Sequence, residues 1–317
     1  MRVRRYAIND CKPKTDERMR QSLLDLIEKT IVYQYDLPNT TAGITKTIVS
    51  VDNDQCFKSV NKNDFTEIIY NSILEYSFNE FEIENKDYDK LHYIALQKRL
   101  KYNPDLDLDK KIKYGFLGEV ILFSVLYVLF KSQPLIARGY FYNPLENSET
   151  KGYDSYHLIE NNNQTELWFG EVKFHRNYKT GVDSIFKNID KAISDDYLRT
   201  NVFAISNQIN NLYYKGSKIE TVIKDWEENP YLSIIDELKQ HNMKLVYPVM
   251  LLYEEDDLGY DDSIKNIPKY IIEKYAANTF SITLDYSIFF ILVPMKDVKA
   301  IKEDVIKWIE LKKPLMS

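Results

Sequence analysis

Glu166-Leu167-Trp168-Phe169-Gly170-Glu171-Val172-Lys173-Phe174 is the stretch on which the reading of the fold turns. Read as a strand, its side chains alternate between two faces, so Leu167, Phe169, Glu171 and Lys173 point the same way. A carboxylate and an ammonium two residues apart on an otherwise apolar strand are costly to bury unless they are paired or share a metal ion. Gly152-Tyr153-Asp154-Ser155-Tyr156 lies upstream and offers a second carboxylate, 17 residues before Glu171. If the two strands form a hairpin, Asp154 and Glu171 become cross-strand neighbours about 5 Å apart.

Outward from this pair the order reads helix, strand, strand, strand, helix. A long helix from about Leu108 carries Gly118-Glu119 at the head of an apolar run that ends at Phe130. Strands are expected over Ala137 to Tyr142, Gly152 to Ile159 and Thr165 to Phe174, separated by Pro144 and by Asn161-Asn162-Asn163. Helical spacing resumes from Asp183 to Arg199, and further helices are expected at 215–227 and 231–241. Lys244 to Tyr253 and Ser287 to Val293 read as two buried strands, and an amphipathic helix at 298–311 closes the chain.

Before the turn at Tyr102-Asn103-Pro104-Asp105 the pattern is mainly helical. Met19, Leu23, Ile27 and Ile31 place a helix within Asp16 to Tyr35, Asn63 or Asp64 caps a second, and a third runs from Tyr88 to Lys101. The expected architecture is α/β: a central mixed sheet flanked by helices over residues 105–317, preceded by a mainly helical extension over 1–104 that is a candidate for partner docking.

Two carboxylates on adjacent strands suit phosphodiester hydrolysis. Asp154 and Glu171 would hold Mg²⁺, or Mn²⁺, through oxygen ligands. The ion lowers the pKa of a water and offsets charge on the phosphate. Lys173 would orient the attacking water and neutralise developing charge, and Glu119 would reach the same ion directly or through water. Glu-x-Lys alone carries little information, because a structural ion pair on a half-exposed strand looks the same. Glu119 has a plain alternative too, as a helix N-terminal carboxylate favoured by the dipole. The spacing to Asp154, the apolar neighbours of Glu171 and the order of elements favour the catalytic set.

Bulk composition narrows the class. A chain of 317 residues with 44% hydrophobic content fills one large domain or two ordinary ones. Its longest apolar run, Val120 to Phe130, is about half of what a membrane-spanning helix needs. Met1-Arg2-Val3-Arg4-Arg5 is followed by no apolar stretch, so a cytoplasmic location is expected. Cys11 and Cys56 suggest neither a disulfide framework nor a zinc site. The net charge of −6 argues against coating nucleic acid through the overall field, yet residues 173–191 hold five basic and two acidic side chains. Glu254, Glu255, Asp256, Asp257, Asp261 and Asp262 read as a polar loop after a strand. His157 and His175 flank the site and are candidates for phosphate contact or for supporting a site residue, whereas His92 and His241 read as structural. The 25 tyrosines are spread along the whole chain, as packing residues are. No GxxxxGK[ST] or GxGxxG occurs, so neither a nucleotide-driven motor nor a dinucleotide enzyme is expected.

Asp154 followed by Glu171-x-Lys173 resembles the signature of the PD-(D/E)XK nucleases, which implies a restriction-endonuclease-like core. More narrowly, Tyr114-Gly115-Phe116-Leu117-Gly118-Glu119, Gly152-Tyr153-Asp154-Ser155-Tyr156-His157 and Leu167 to Phe174 resemble the blocks of the HamA family, as does the closing Phe289 to Pro294 strand. The resemblance covers roughly 108–312. It implies the nuclease subunit of the Hachiman anti-phage system: a DNA-degrading effector paired, as a heterodimer, with a superfamily 2 helicase, HamB, that restrains and releases it. It also implies Asp154, Glu171 and Lys173 as the core of the site, with Glu119 as the helix carboxylate. Two rivals stay open at this level: a non-catalytic subunit that senses DNA or a helicase on the same fold, and an RNA-cutting toxin with the same site.

Overall fold

The computed structural model describes residues 19–36, 55–59, 62–84, 86–137, 142–143, 148–149, 152–160, 164–208, 216–229, 231, 233–254 and 260–316. In chain order its elements begin with α1 (Gln21–Thr30), β1 (Ile31–Asp36), β2 (Gln55–Ser59), α2 (Lys62–Ser77) and α3 (Glu80–Ile83). Next come α4 (Tyr88–Ile94), which runs into a π-helical turn (Ala95–Arg99), then α5 (Leu108–Lys111) and α6 (Phe116–Val128). The middle holds β3 (Gln133–Pro134), β4 (Tyr142–Asn143), β5 (Ser148–Glu149), β6 (His157–Glu160), β7 (Thr165–Trp168) and β8 (Glu171–Phe174). The rest is α7 (Tyr178–Phe186), α8 (Ile189–Ala192), α9 (Asp195–Ser206), α10 (Lys218–Glu228), α11 (Ile234–Gln240), β9 (Met243–Glu254), α12 (Tyr260–Ala276), β10 (Tyr286–Met295) and α13 (Val298–Leu311).

One mixed sheet organises the molecule in the order β1-β2-β10-β9-β7-β6-β3, with β8 also paired to β9; β4 and β5 form a separate pair. β9 and β10 are its centre, parallel from Tyr286↔Leu245 to Met295↔Glu254. Their unbroken runs of branched and aromatic residues are what a strand covered on both faces requires. β7 and β8 hold the same parallel offset to β9, from Thr165↔Met243 to Phe174↔Leu252, so they are one bent strand and the sheet has seven strands in all. The bend falls at Phe169-Gly170. Its cause lies opposite, in Pro248, which has no N–H to continue the ladder.

Helices cover both faces. α1, α2, α6 and α13 pack on one, around Phe65, Ile69, Leu117 and Ile306. α7, α9, α10, α11 and α12 cover the other, around Val182, Leu198, Leu238 and Ile271. All thirteen residues of α6 are buried, which accounts for the longest apolar run as a core helix. Among the described residues no helix is long and apolar enough to cross a membrane.

The α/β architecture agrees with the reading of the sequence, and several of its elements do not. The helix expected within Asp16 to Tyr35 stops at Thr30, where the β-branched and aromatic run Ile31-Val32-Tyr33 starts β1 instead. The long helix from Leu108 is two helices, α5 and α6. Of the strand expected over 137–142 only the two ends are described, 138–141 lying outside the described residues: β3 forms earlier, at Gln133–Pro134, and Tyr142–Asn143 pairs with Ser148–Glu149. The second strand starts only at His157, so Asp154 precedes it in a bend. The helix expected at Asp183 to Arg199 begins at Tyr178, because Asn177 accepts from Lys179 N and Thr180 N as its cap, and it is broken into α7, α8 and α9. The acidic segment is only in part a loop: Glu254 ends β9, Asp261 and Asp262 belong to the first turn of α12, and 255–257 lie outside the described residues.

Packing does not pause at the turn at 102–105. β2 pairs parallel with β10 at Ile291↔Gln55 and Leu292↔Cys56, β1 pairs with β2, and residues of α2, α6 and α13 share one core.

Candidate active site

The site arises where the sheet loses a strand. β6 covers β7 only as far as His157↔Trp168, so β8 has β9 on one side and an open edge on the other. Even-numbered residues of β8 turn their backbone groups to that edge, where they need partners. Asp154 supplies two. Its N–H donates to Gly170 O at 2.9 Å, and its Oδ2 accepts from Val172 N at 2.9 Å. Continuing the β6–β7 register by three residues sets Asp154 opposite Glu171, so the bend replaces the missing strand with a carboxylate.

The bend is itself clamped. Gly170 N donates to Ser155 Oγ at 3.1 Å. Tyr153 N donates to the Tyr156 hydroxyl at 3.1 Å, and that hydroxyl donates to Asn201 Oδ1 of α9 at 2.5 Å. The Tyr153 hydroxyl donates to Ala192 O at 2.7 Å. A Cβ on Gly152 would lie 2.2 Å from the Tyr156 hydroxyl oxygen, so the clamp closes only over glycine.

Glu171 and Lys173 share a face, as the alternation requires. Glu171 Oε1 pairs with Lys173 Nζ, and Oε2 accepts from the buried Tyr247 hydroxyl at 2.6 Å. Glu119 is buried in the first turn of α6 and accepts a hydrogen bond from the Tyr76 hydroxyl of α2. α6 comes this near because Gly118 has no side chain: a Cβ there would lie 3.3 Å from both methyl carbons of Val172. A small pocket beside Asp154 is lined by Tyr76, Phe123, Ile136, Ser155, Tyr156 and His157.

The electrostatics show that these groups converge. Burial, then the negative charges of Glu119 and Glu171, push the Asp154 carboxyl up to about 8, against the pull of Val172 N–H and Lys173. Burial works against the Lys173 ammonium, but Glu171, Asp154 and Glu119 together hold it above its ordinary value. Tyr247 is pushed well up by burial and by Glu171, so its hydroxyl stays a donor. Asp154, Glu171, Lys173 and Glu119 therefore lie in one electrostatic neighbourhood although they come from a bend, a strand and a helix.

Three carboxylates against one lysine leave excess negative charge, and an all-oxygen donor set of this kind fits a hard divalent cation. Asp154 with Oδ1, Glu171 and Glu119 are the residues that would hold it. Their carboxylates are not in a closed ligand geometry, since Lys173, Tyr247 and Tyr76 draw on the oxygens. Among the described residues the one group of three with ligand atoms all within 4.8 Å of one another is Asp225, Glu237 and His241, on α10 and at the end of α11. His241, read from the sequence as having no partner at useful spacing, thus has Glu237 one helical turn before it and Asp225 Oδ2 at 3.5 Å.

His157 is buried, with Nδ1 3.0 Å from Ser132 Oγ and its ring edge-on to Phe123, so it is a packing residue and not a phosphate contact. His175 is half-buried at the end of the site, and burial, Lys173 and Lys302 hold its pKa below the ordinary value. His92 packs on Tyr70 with Nε2 2.9 Å from Tyr70 O. The sequence reading did not find Ser155, Asn201, Tyr247 or Tyr76. Ser155 adjoins Asp154 and could have been suspected; the others sit in distant elements with no local signal.

The sequence matches the family described as HamA over residues 25–309. That span begins well before residue 108, so the helices and strands ahead of the turn are family structure too. No curated protein matches the chain.

Proposed function

The chain belongs to the HamA family, hence to the components of anti-phage defence, and we propose that it is the metal-dependent DNase of its system. One observation carries the reading: three carboxylates and a lysine share one electrostatic neighbourhood beside an open strand edge, where burial and then the charges of Glu119 and Glu171 push Asp154 up to about 8. Such a shift is what a site looks like when it is built to share its negative charge with a cation.

Asp154, Glu171 and Glu119 would hold Mg²⁺, or Mn²⁺, in this reading. When bound, the ion supplies a water of lowered pKa and charge stabilisation at the phosphate. Lys173 stays protonated, orients the attacking water by hydrogen bonding and offsets charge as it develops on the scissile phosphate. Val172 N–H fixes the Asp154 carboxylate, and the Tyr247 hydroxyl fixes Glu171. With its acidic net charge, the chain depends on a partner for part of its hold on DNA. That partner is a HamB-like superfamily 2 helicase, in a heterodimer that restrains the nuclease until it is needed.

The test incubates the purified chain, with and without the helicase, with plasmid, linear DNA and RNA in Mg²⁺ or EDTA. DNA cleavage that needs Mg²⁺ and is lost in Lys173→Ala, with the variant still folded and still binding the helicase, is the expected result. Cutting of RNA alone would make it a ribonuclease, and binding without cutting under every condition would make it a sensor.

A further inference from the structure

Past Asp154, the open edge of β8 carries a second charged group. Lys302 reaches it from α13, and its Nζ donates to Phe174 O at 3.0 Å. The ammonium lies over the Phe174 ring, 4.5 Å from its centroid. Among the described residues Lys302 has no carboxylate within salt-bridge distance, although it is only half exposed. A partly desolvated ammonium held by a carbonyl and a ring face has donors to spare and charge uncompensated. Burial accordingly lowers its pKa, and Lys302 joins Lys173 in lowering that of His175.

The spacing gives this charge a use. Val172 N, which anchors Asp154, and Phe174 O, which anchors Lys302, face the same edge two residues apart, about 7 Å along the strand. That is the scale of one nucleotide step. Resting on the nuclease reading above, we propose that Lys302 binds the DNA phosphate next to the one that is cut. Lys173 then serves the scissile phosphate, Lys302 sets the register of the strand, and α13 becomes part of the DNA-binding surface.

Lys302→Gln is the informative variant, since the amide can still donate to Phe174 O while the charge is gone. In full-length chain disabled by Lys173→Ala, binding of a fluorescein-labelled 20-base-pair DNA is followed by anisotropy across a salt series. Lys302→Gln should weaken binding about tenfold at low salt, the scale of one charge-assisted contact. It should also lower the slope of log K against log salt by about 0.9. Lys302→Arg should restore both, and melting temperatures should stay level. Unchanged affinity and slope in Lys302→Gln would overturn the phosphate site while leaving the nuclease reading intact. A parent chain that binds no DNA at any salt, alone or with the helicase, would overturn both, and a loss of affinity that tracks a fall in melting temperature, without a change in slope, would reduce Lys302 to a strut.

Discussion

Thr165–Trp168 and Glu171–Phe174 are two halves of one strand, with the same neighbour in the same register. They differ in what lies on the other side. The first half is enclosed by β6, and its one charged side chain, Glu166, accepts from its own neighbour Trp168 Nε1 at 2.8 Å. The second half has lost β6, and its edge is served by Asp154 and Lys302. An enclosed strand has its backbone satisfied and leaves no opening for a ligand. An edge strand has backbone groups that can recruit charged side chains and room for a substrate to approach. The position of the site is thus set by where β6 begins, at His157, more than by Glu171 and Lys173 themselves.

The comparison breaks most visibly through charge removal on either side of the bend. On the nuclease reading, Asp154→Asn and Lys173→Ala should each lower DNA cleavage by roughly a thousandfold or more, since they would remove a proposed ion ligand and the compensating cation. Glu166→Gln, four residues along the same strand from Gly170, should leave the cleavage rate within about twofold, as a surface change away from the chemistry. Gel-based rates at matched protein and Mg²⁺, with circular dichroism to confirm folding, decide it. Comparable losses on both halves would mean that the strand acts as one unit and the open edge is incidental.

The bend itself is the next target. A Cβ on Gly170 would stand 2.5 Å from Pro248 O and 2.6 Å from Pro248 Cγ, so Gly170→Ala must move β8 off β9. The overpacking should cost about 1–3 kcal/mol, read as a lower denaturation midpoint. Because Gly170 O and N anchor Asp154 and Ser155, cleavage should fall by more than the stability loss explains. An equal fall in Thr165→Ala, at matched stability, would blur the two halves again.

A third test uses protons. Asp154 carries its proton up to about 8 in the folded chain, against 3.8 for the free side chain, so the folded state binds more protons between those values. Stability of the metal-free protein should therefore fall as pH rises from about 4 to about 8. If Asp154 is an ion ligand, Mg²⁺ would compete with that proton, so its stabilising effect should be larger at pH 8.5 than at about pH 6. Scanning fluorimetry at both values, with and without Mg²⁺, reads the sign, and Asp154→Asn should flatten both trends. A response to Mg²⁺ independent of pH would detach the raised carboxyl from the ion.

Much of the second half is legible in the sequence, because alternation through Glu171-Val172-Lys173 is a local signal and Asp154 falls at hairpin distance. β9 and β10 were legible for the same kind of reason, as apolar runs too continuous for a one-sided strand. Legibility ended where the decisive contact is remote. Tyr247 and Asn201 serve the site from β9 and α9, and nothing near them in sequence marks them as different from other core residues. Ile31 misled, since it completes the helical stripe of Leu23 and Ile27 yet starts a strand. α12 was hidden by the acidic run before it and by Pro268 within it. The role of β6 was invisible in principle, because a strand that begins five residues late, at His157 instead of Gly152, leaves the sequence pattern unchanged and alters only what stands beside β8.

The finest test asks whether the other face of the sheet shares in the site. Tyr247 holds Glu171 from beneath β8, whereas Tyr76 holds Glu119 from α2, on the amino-terminal side of the turn at 102–105. Tyr76→Phe keeps the ring and its edge contact with Phe123 and deletes one hydroxyl. If Glu119 is an ion ligand, the loss leaves it less well oriented: cleavage should fall about fivefold to tenfold at low Mg²⁺, the scale of one hydrogen bond to a charged group. Raising Mg²⁺ should recover most of it, and the melting temperature should scarcely move. A structural role would give the opposite pattern, a lower melting temperature with the Mg²⁺ requirement unchanged, and Glu119 would then be a helix N-terminal carboxylate near the site rather than part of it. The Mg²⁺ requirement therefore separates the two roles of Glu119, and it fixes whether α2 belongs to the chemistry or only to the scaffold.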